Sequence, residues 1–193
     1  MKKLFLFILL LIPINVFAYD IKLDEYEKKT LDQILIDIGN DKFIDTEENY
    51  QGIPIYFFYG KECGYSKQFI DFYVDQVLPK YKHKIHIVGF ETWHDNKNAS
   101  LYATILKYKK SDYEGSPLII IGDRVFEGYT QSYNNQIISA IDNTIKNNNK
   151  KDIIEEMNSI SDNDLDNEIK KIILIPLFII LLIVALVFII KKK

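Results

Sequence analysis

The chain has 193 residues, of which 48% are hydrophobic and 26% are charged. That length and balance predict one globular domain with appended segments. When the five lysines of the two terminal segments described below are set aside, 19 of the 24 basic residues remain against 27 acidic ones, a net charge of about −8. An acidic surface without a basic patch argues against nucleic acid as a partner. It also argues against tight binding of the domain to anionic lipid.

Residues 1–18 have the pattern of a signal peptide. A basic start at residues 1–3 precedes the apolar residues 4–12, and the small residue Ala18 predicts the cleavage site. The alternative, a membrane anchor, is weaker because Pro13 keeps the apolar run shorter than a spanning helix. The sequence therefore predicts that the chain is exported.

Residues 19–52 are predicted to form a helix and a loop that precede the main domain. The helix is predicted over residues 23–38, where apolar residues recur at helical spacing, and Gly39 is typical of a helix end. The polar residues 40–52 then predict a loop. The side chains predicted to face inward from this helix are Leu31, Ile34, Leu35 and Ile38.

The main domain is predicted over residues 53–146 and begins with a strand and a helix. Residues 53–59 are β-branched and aromatic, as a buried strand requires, and Gly60 ends the run. From Ser66 onward, apolar residues at helical spacing form one face of a helix that we expect Pro79 to end.

Cys63, the only cysteine of the chain, lies between this strand and this helix. A thiol at the first turn of a helix faces unpaired N–H groups and the positive end of the helix dipole, which favour a nucleophilic thiolate. That interpretation predicts a solvent-accessible thiol. The alternative is a buried cysteine acting as a small hydrophobe, and the cysteine alone does not decide between the two.

The rest of the domain alternates strands and helices. The second strand is parallel to the first if the crossover between them is right-handed, and the last two strands form an antiparallel pair around a turn at Gly122-Asp123. The strands are predicted over residues 85–90, 118–121 and 124–126, and the helices over residues 98–108 and 130–146.

The C-terminal residues predict a polar stalk followed by a membrane anchor. Residues 147–171 are rich in Asn, Asp, Glu and Lys and are interpreted as a juxtamembrane stalk with some helix. Residues 172–190 contain no charge and are long enough to span a bilayer. The lysines at 191–193 predict a cytoplasmic tail, and therefore a single-pass protein with its domain at the cell surface, in the periplasm or in a secretory lumen.

Two motifs of the main domain resemble the thioredoxin family. Cys63-Gly64-Tyr65-Ser66 is similar to the Cys-x-x-Cys active-site turn of that family, with serine in place of the second cysteine. Residues 115–128, GSPLIIIGDRVFEG, resemble the second half of the fold, where a cis-proline opens a strand and a two-residue turn leads to the last strand. The resemblance implies an α/β fold, a thioredoxin-like mixed sheet with helices on both faces. The C-terminal transmembrane helix is added to it.

The resemblance also implies roles for individual residues. Cys63 is implied as the thiol that attacks a disulfide, whereas Ser66 cannot resolve the product and is expected only to hydrogen-bond the thiolate. Ser116 and Pro117 are implied as a cis-proline loop that docks an extended peptide beside Cys63. The implied catalytic residues are Cys63 and Ser66, and the implied substrate-binding residues are Gly64, Tyr65, Ser116 and Pro117.

Two positions depart from the thioredoxin pattern. Thioredoxins usually carry a buried acid six residues before the cysteine, where this chain has Phe57, so the group that handles the second thiol's proton is missing together with that thiol. The residue before the cysteine, commonly Trp in the family, is Glu62. Its charge opposes thiolate formation, whereas Lys61 and Lys67 favour it.

No metal ion and no cofactor are predicted. His83 and His86 are three residues apart on or near a strand, which points them to opposite faces, and His94 is expected to be solvated or capped. Trp93 is expected to pack at the end of the strand. Asn98 begins a glycosylation sequon, which matters only in a eukaryotic secretory route.

Two functions remain open. In the first, Cys63 forms mixed disulfides with exported or membrane proteins that carry thiols or disulfides, and another thiol resolves them. The chain would then be a thiol-disulfide oxidoreductase of monothiol type. In the second, it is a non-catalytic module that keeps the fold and its peptide-binding groove.

Overall fold

The computed structural model describes residues 19–40, 52–146 and 152–159. The predicted signal peptide at residues 1–18 and the predicted membrane helix at residues 172–190 lie outside the described residues. Within the described ranges, no helix has both the length and the apolar character that crossing a membrane requires.

The chain divides into two units, one of Met1–Ile21 with Met157–Lys193 and the other of Lys22–Glu156. In the first, the Asn158 side chain accepts the Ile21 N–H at 3.0 Å and donates to the Ile21 carbonyl at 3.0 Å. All the elements named below, and the candidate site, belong to the second unit.

A four-stranded mixed sheet forms the centre of the second unit. Its strands are β1 (Ile53–Tyr59), β2 (Ile85–Glu91), β3 (Leu118–Ile121) and β4 (Arg124–Glu127), in the spatial order β2-β1-β3-β4. Strand β1 is parallel to β2 and antiparallel to β3, which is antiparallel to β4. The predicted parallel pair and the hairpin at Gly122-Asp123 are both confirmed.

Helices cover both faces of this sheet. The helices are α1 (Leu31–Asp37), α2 (Gly64–Phe72), α3 (Leu78–Tyr81), α4 (Asn96–Lys109) and α5 (Asn134–Lys146), with short 3-10 turns at Leu23–Glu25, Lys82–Lys84 and Gln131–Tyr133. Successive side chains of a strand point to opposite faces. The Phe57 ring packs 4.9 Å from that of Phe69 on α2, and the Phe58 ring packs 6.2 Å from that of Tyr102 on α4.

The N-terminal helix is shorter than the predicted range 23–38. Lys29 instead pairs with Gly89 of β2 through two backbone hydrogen bonds of 2.8 and 2.9 Å, which a helical residue could not make. The Gln33 side chain then accepts the Thr30 N–H at 2.9 Å and helps to start α1 at Leu31. The predicted inward residues Leu31, Ile34, Leu35 and Ile38 are all buried.

The expectation that Pro79 ends the second helix of the sequence is wrong. Helix α2 continues through a π-helical turn, Tyr73–Val77, directly into α3, and Lys82 with φ 48° follows the end of α3. The Leu78 N–H bonds to the carbonyl of Tyr73, five residues back. Pro79 follows this π-helical turn directly, at the point where the turn has already interrupted the regular i→i−4 hydrogen-bond ladder.

Part of the predicted stalk packs into the second unit. The Tyr56 hydroxyl donates a hydrogen bond to Asp152, and burial together with this bond raises the pKa of Tyr56. Residues 153–156 of this unit are helical, and the side chains of Ile153 and Ile154 are buried. The segment that follows α5 therefore contributes to the stability of the domain.

We predict that Ile153→Ala lowers the free energy of unfolding by about 2–5 kcal/mol, because it removes methyl groups from a fully buried site and leaves a cavity. Chemical denaturation measures this change. Glu155→Ala, at an exposed position of the same helix, is the matched control and should leave the transition nearly unchanged. Equal midpoints for the two variants would contradict the packing.

Candidate functional site

Cys63 lies at the N-terminus of α2, four residues after the end of the central strand β1. Its N–H donates to the Gly60 carbonyl at 3.0 Å, and its own carbonyl accepts the Lys67 N–H at 3.1 Å. The first bond closes a tight turn between strand and helix, and the second begins the hydrogen-bond ladder of the helix. These two bonds fix the backbone of Cys63 at the helix terminus, as the sequence predicts.

The thiol of Cys63 contacts the loop that leads into β3. Its Sγ donates a hydrogen bond of 3.2 Å to the carbonyl oxygen of Ser116, and the Ser116–Pro117 peptide bond is cis, as predicted. The Cys63 side chain is only 8% exposed. The expectation of a solvent-accessible thiol is therefore wrong for this arrangement, in which the Ser116 carbonyl holds the thiol.

Ser66 occupies a fully buried position one helical turn after Cys63. Its hydroxyl lies 3.1 Å from that of Ser116, which also accepts the Gly60 N–H at 3.0 Å. No hydrogen bond joins Ser66 to Cys63 among the described residues, so the expected bond from Ser66 to the thiol is absent here. Ser66 connects the helix to the cis-proline loop instead.

Of the residues predicted to bind substrate, Pro117 is buried, whereas Gly64 and Tyr65 face open space. The Pro117 ring is buried, and its carbonyl accepts the Gly128 N–H at 2.7 Å. A Cβ added at Gly64 would meet no atom within 4 Å, and Tyr65 is 59% exposed. The Ser116 N–H makes no hydrogen bond within the described part of the chain, which leaves a backbone donor beside Cys63 for a docked chain.

The charged residues flanking Cys63 pair with other groups. Lys61 Nζ lies 3.2 Å from the Asp37 carboxylate of α1, and Lys67 Nζ donates at 3.4 Å to the carbonyl of Gly39. Glu62 lies 3.7 Å from the imidazole of His94. Both lysines that were expected to favour the thiolate are therefore engaged with the end of the N-terminal helix.

Phe57 fills the position where a buried acid would be expected from the thioredoxin pattern. Its ring is fully buried and packs 5.2 Å from that of Tyr59 and 4.9 Å from that of Phe69. The Tyr59 hydroxyl donates to the Asp37 carboxylate at 2.7 Å. Burial is the main cause that raises the pKa of Tyr59, and this hydrogen bond is the second cause. The interior behind Cys63 is therefore aromatic, and the Asp37 carboxylate that contacts it is bonded to the Tyr59 phenol and paired with Lys61.

Three residues that sequence reasoning did not assign to the site lie beside it. The Tyr113 hydroxyl donates to the Pro117 carbonyl at 3.4 Å. Burial is the main cause that raises the pKa of Tyr113 to about 12, and the nearby Cys63 is the second cause. Glu91 is buried and accepts backbone N–H groups of the next loop, and Trp93 of that loop packs against the turn before Cys63. Their positions depend on contacts between distant segments, so no local pattern marks them.

His86 and the sequon residue Asn98 are both held within the fold. Burial lowers the pKa of His86, and no group of three or more His, Cys, Asp or Glu side chains that could hold a metal ion occurs in the described ranges. Asn98 is fully buried, and its Nδ2 donates to the carbonyl of Glu27 at 3.0 Å. The sequon nitrogen is therefore enclosed in the folded domain.

In comparisons with protein-family models, curated proteins and solved structures, nothing matches this chain.

We predict that Ser116→Ala lowers the free energy of unfolding by about 1–3 kcal/mol, because it leaves the Gly60 N–H and the buried Ser66 hydroxyl without their partner. The double variant with Ser66→Ala should lose less stability than the sum of the two single variants. Chemical denaturation of all four proteins gives the coupling energy. Ser100→Ala, at an exposed position of α4, is the control, and strict additivity would contradict the contact.

Proposed function

We propose that the chain is a membrane-anchored, extracytoplasmic protein with a thioredoxin-like domain, and that Cys63 forms mixed disulfides with exported partner proteins. One observation carries the proposal: Cys63 lies at the helix terminus that follows the central strand, with its sulfur against the residue that precedes a cis-proline. This arrangement joins the two motifs whose resemblance to thioredoxins was recognised in the sequence. The Cys63 sulfur also lies beside Ser116, whose N–H makes no hydrogen bond among the described residues, and a docked chain could use this donor.

The sheet supports the same assignment. Strand β1 lies between the parallel β2 and the antiparallel β3, and its C-terminal end leads into the cysteine turn. The cis-proline immediately precedes β3, so the two motifs meet because β1 and β3 are neighbours in the sheet. A thioredoxin-like domain requires this juxtaposition of the two motifs.

The proposed reaction begins when an extended segment of the partner docks along Ser116. A partner N–H that bonds to the Ser116 carbonyl competes with the Cys63 thiol for this acceptor, and so releases the sulfur. The released thiol loses its proton to solvent, and the resulting thiolate attacks one sulfur of the partner disulfide. A bond forms between Cys63 and that sulfur, the partner S–S bond breaks, and the second partner sulfur leaves as a thiolate.

The mixed disulfide then needs a thiol from outside the domain. Ser66 has no sulfur and its hydroxyl is bonded to Ser116, so it cannot complete the exchange. An external thiolate that attacks the Cys63 sulfur releases the partner as a thiolate, and a second external thiolate regenerates Cys63 and leaves as the external disulfide. The domain is therefore proposed as a monothiol exchanger that depends on a separate thiol.

The proposed location rests on segments outside the described residues. Residues 1–18 would direct export, residues 172–190 would span the membrane, and the lysines at 191–193 would remain in the cytoplasm. Exported or membrane proteins with thiols or disulfides are then the accessible partners.

A second candidate function is a binding module without catalysis. The observation that favours it is the burial of Cys63, which leaves 8% of the side chain exposed and gives the thiol a hydrogen-bond partner. In that case partners would dock along Ser116 and Tyr65 without a covalent step, and Cys63 would be dispensable.

Capture of partners separates the two functions. We predict that the full chain, isolated from its membrane with free thiols blocked, migrates on a non-reducing gel partly as higher-mass species that disappear on reduction. Cys63→Ser should remove them, because it removes the only sulfur that can form the bond. Ser66→Ala, which keeps Cys63, is the matched control and should retain them. If the native protein forms no such reducible species, the binding module is favoured.

We also predict that the native protein reduces insulin disulfides poorly, and that Ser66→Cys raises the rate on the order of tenfold or more, because it supplies a resolving thiol. The turbidity of precipitating insulin, with a dithiol as the electron source, measures this rate. The double variant Cys63→Ser with Ser66→Cys keeps one thiol at the other position and should be inactive. Rapid reduction by the native protein would refute the account of Ser66.

A further inference from the structure

Two of the three strongly exposed large hydrophobic side chains among the described residues lie near the turn that carries Cys63. Only Ile36, Tyr65 and Trp93 among the large hydrophobic side chains described are strongly exposed, at 78%, 59% and 53%. Tyr65 belongs to the first turn of α2, two residues after Cys63, and Trp93 belongs to the loop between β2 and α4. An exposed indole offers apolar area that a partner can bury with a gain in free energy, so the position of Trp93 bears on recognition.

Trp93 lies directly against the turn that carries Cys63. A Cβ added at Gly60 would lie 2.3 Å from two atoms of the indole ring, so only a glycine fits beneath it. Gly60 donates its N–H to the Ser116 hydroxyl and accepts the Cys63 N–H through its carbonyl. One face of the indole is therefore packed on the residue that connects Cys63 to the cis-proline loop, while the rest of the ring faces solvent.

The loop that presents Trp93 is held by buried hydrogen bonds. Glu91 is 3% exposed, and its two carboxylate oxygens accept the N–H groups of Trp93 at 3.0 Å and His94 at 2.8 Å. Thr92 donates both its N–H and its hydroxyl to the carbonyl of Tyr59, at 2.8 and 3.1 Å. Burial of a carboxylate is unfavourable unless such bonds satisfy it, so Glu91 and Gly60 together specify where an exposed indole is placed.

We propose that Trp93 is a specificity-determining residue of the thiol exchange, and that it receives an apolar side chain next to the partner's cysteine. This inference rests on the proposed function. It assigns as substrate class exported proteins whose reactive cysteine lies in an extended segment flanked by aliphatic or aromatic residues.

The chemistry of the surroundings favours an apolar neighbour over a charged one. The indole is large and rigid, so contact with it costs little conformational entropy. Of the charged groups that flank the Cys63 turn, Lys61 Nζ lies 3.2 Å from the Asp37 carboxylate and Glu62 lies 3.7 Å from the His94 imidazole. The Ser116 N–H has no hydrogen-bond partner among the described residues, so it is available to hold the backbone of an extended segment. The side chain beside the attacked sulfur would then select among partners.

The test uses two synthetic peptides that differ only in the residues flanking a single cysteine, leucine in one and serine in the other. In each peptide the cysteine is joined to thionitrobenzoate in a mixed disulfide. Attack by Cys63 on the peptide sulfur forms the Cys63–peptide disulfide and releases coloured thionitrobenzoate, so absorbance gives the rate. We expect the full chain to react with the leucine peptide about threefold to tenfold faster than with the serine peptide.

Trp93→Ala should bring this preference close to one, and Trp93→Phe should retain most of it because the aromatic contact remains. Ile36→Ala, which removes the most exposed apolar side chain of the described residues from α1, is the matched control and should keep the full preference. The rate of alkylation by iodoacetamide should be the same in all four proteins, which shows that the thiol and its turn are intact.

The possible outcomes separate the inference from the function on which it rests. A preference that survives in Trp93→Ala, or equal rates of the native protein with both peptides, would overturn the role of Trp93 and leave the thiol exchange standing. If the native protein releases thionitrobenzoate from neither peptide while iodoacetamide still labels Cys63, the exchange function itself fails and the inference fails with it.

Discussion

The hydrogen bonds of Ser116 are the interaction on which the arrangement of the candidate site depends. Its carbonyl accepts from the thiol of Cys63, and its hydroxyl bonds to the Gly60 N–H and to the buried hydroxyl of Ser66. One residue therefore joins the end of β1, the first turn of α2 and the loop before β3. Burial makes the loss of each bond destabilising, because an unpaired hydroxyl in the interior costs more free energy than the bond itself contributes to stability.

Under the proposed function, this arrangement would couple docking of a partner to the exposure of the sulfur. The Ser116 carbonyl that holds the thiol is also the backbone acceptor that an extended partner would use, so partner and thiol compete for the same oxygen. Before docking, only 8% of Cys63 is exposed, and a docked chain would raise that exposure. The proposed exchange would thus favour partners that dock over small reagents before any side chain is recognised.

The sequence pattern predicts the sheet and most of the helices, because the continuous apolar run around Phe57 and the helical spacing of residues such as Ile137 reflect which side chains are buried. The start of α1 could not be predicted in this way. It depends on a pairing between Lys29 and Gly89, which are 60 positions apart. At the site, the motifs identify Cys63, Ser66, Ser116 and Pro117, since turn and cis-proline chemistry is local. Trp93 and Tyr113 reach the site only through tertiary contacts, which no local pattern records.

The buried acidic residue of this domain lies away from the position where the thioredoxin pattern has one, which agrees with a site that carries a single thiol. With serine at position 66 there is no second thiol to deprotonate, so an acid behind the site would have no proton to handle, and Phe57 instead packs between two aromatic rings. Glu91, the one carboxylate that is buried among the described residues, lies at the end of β2 and binds the loop that presents Trp93. Under the proposed function, a buried acid thus serves recognition of the partner and not resolution of the disulfide.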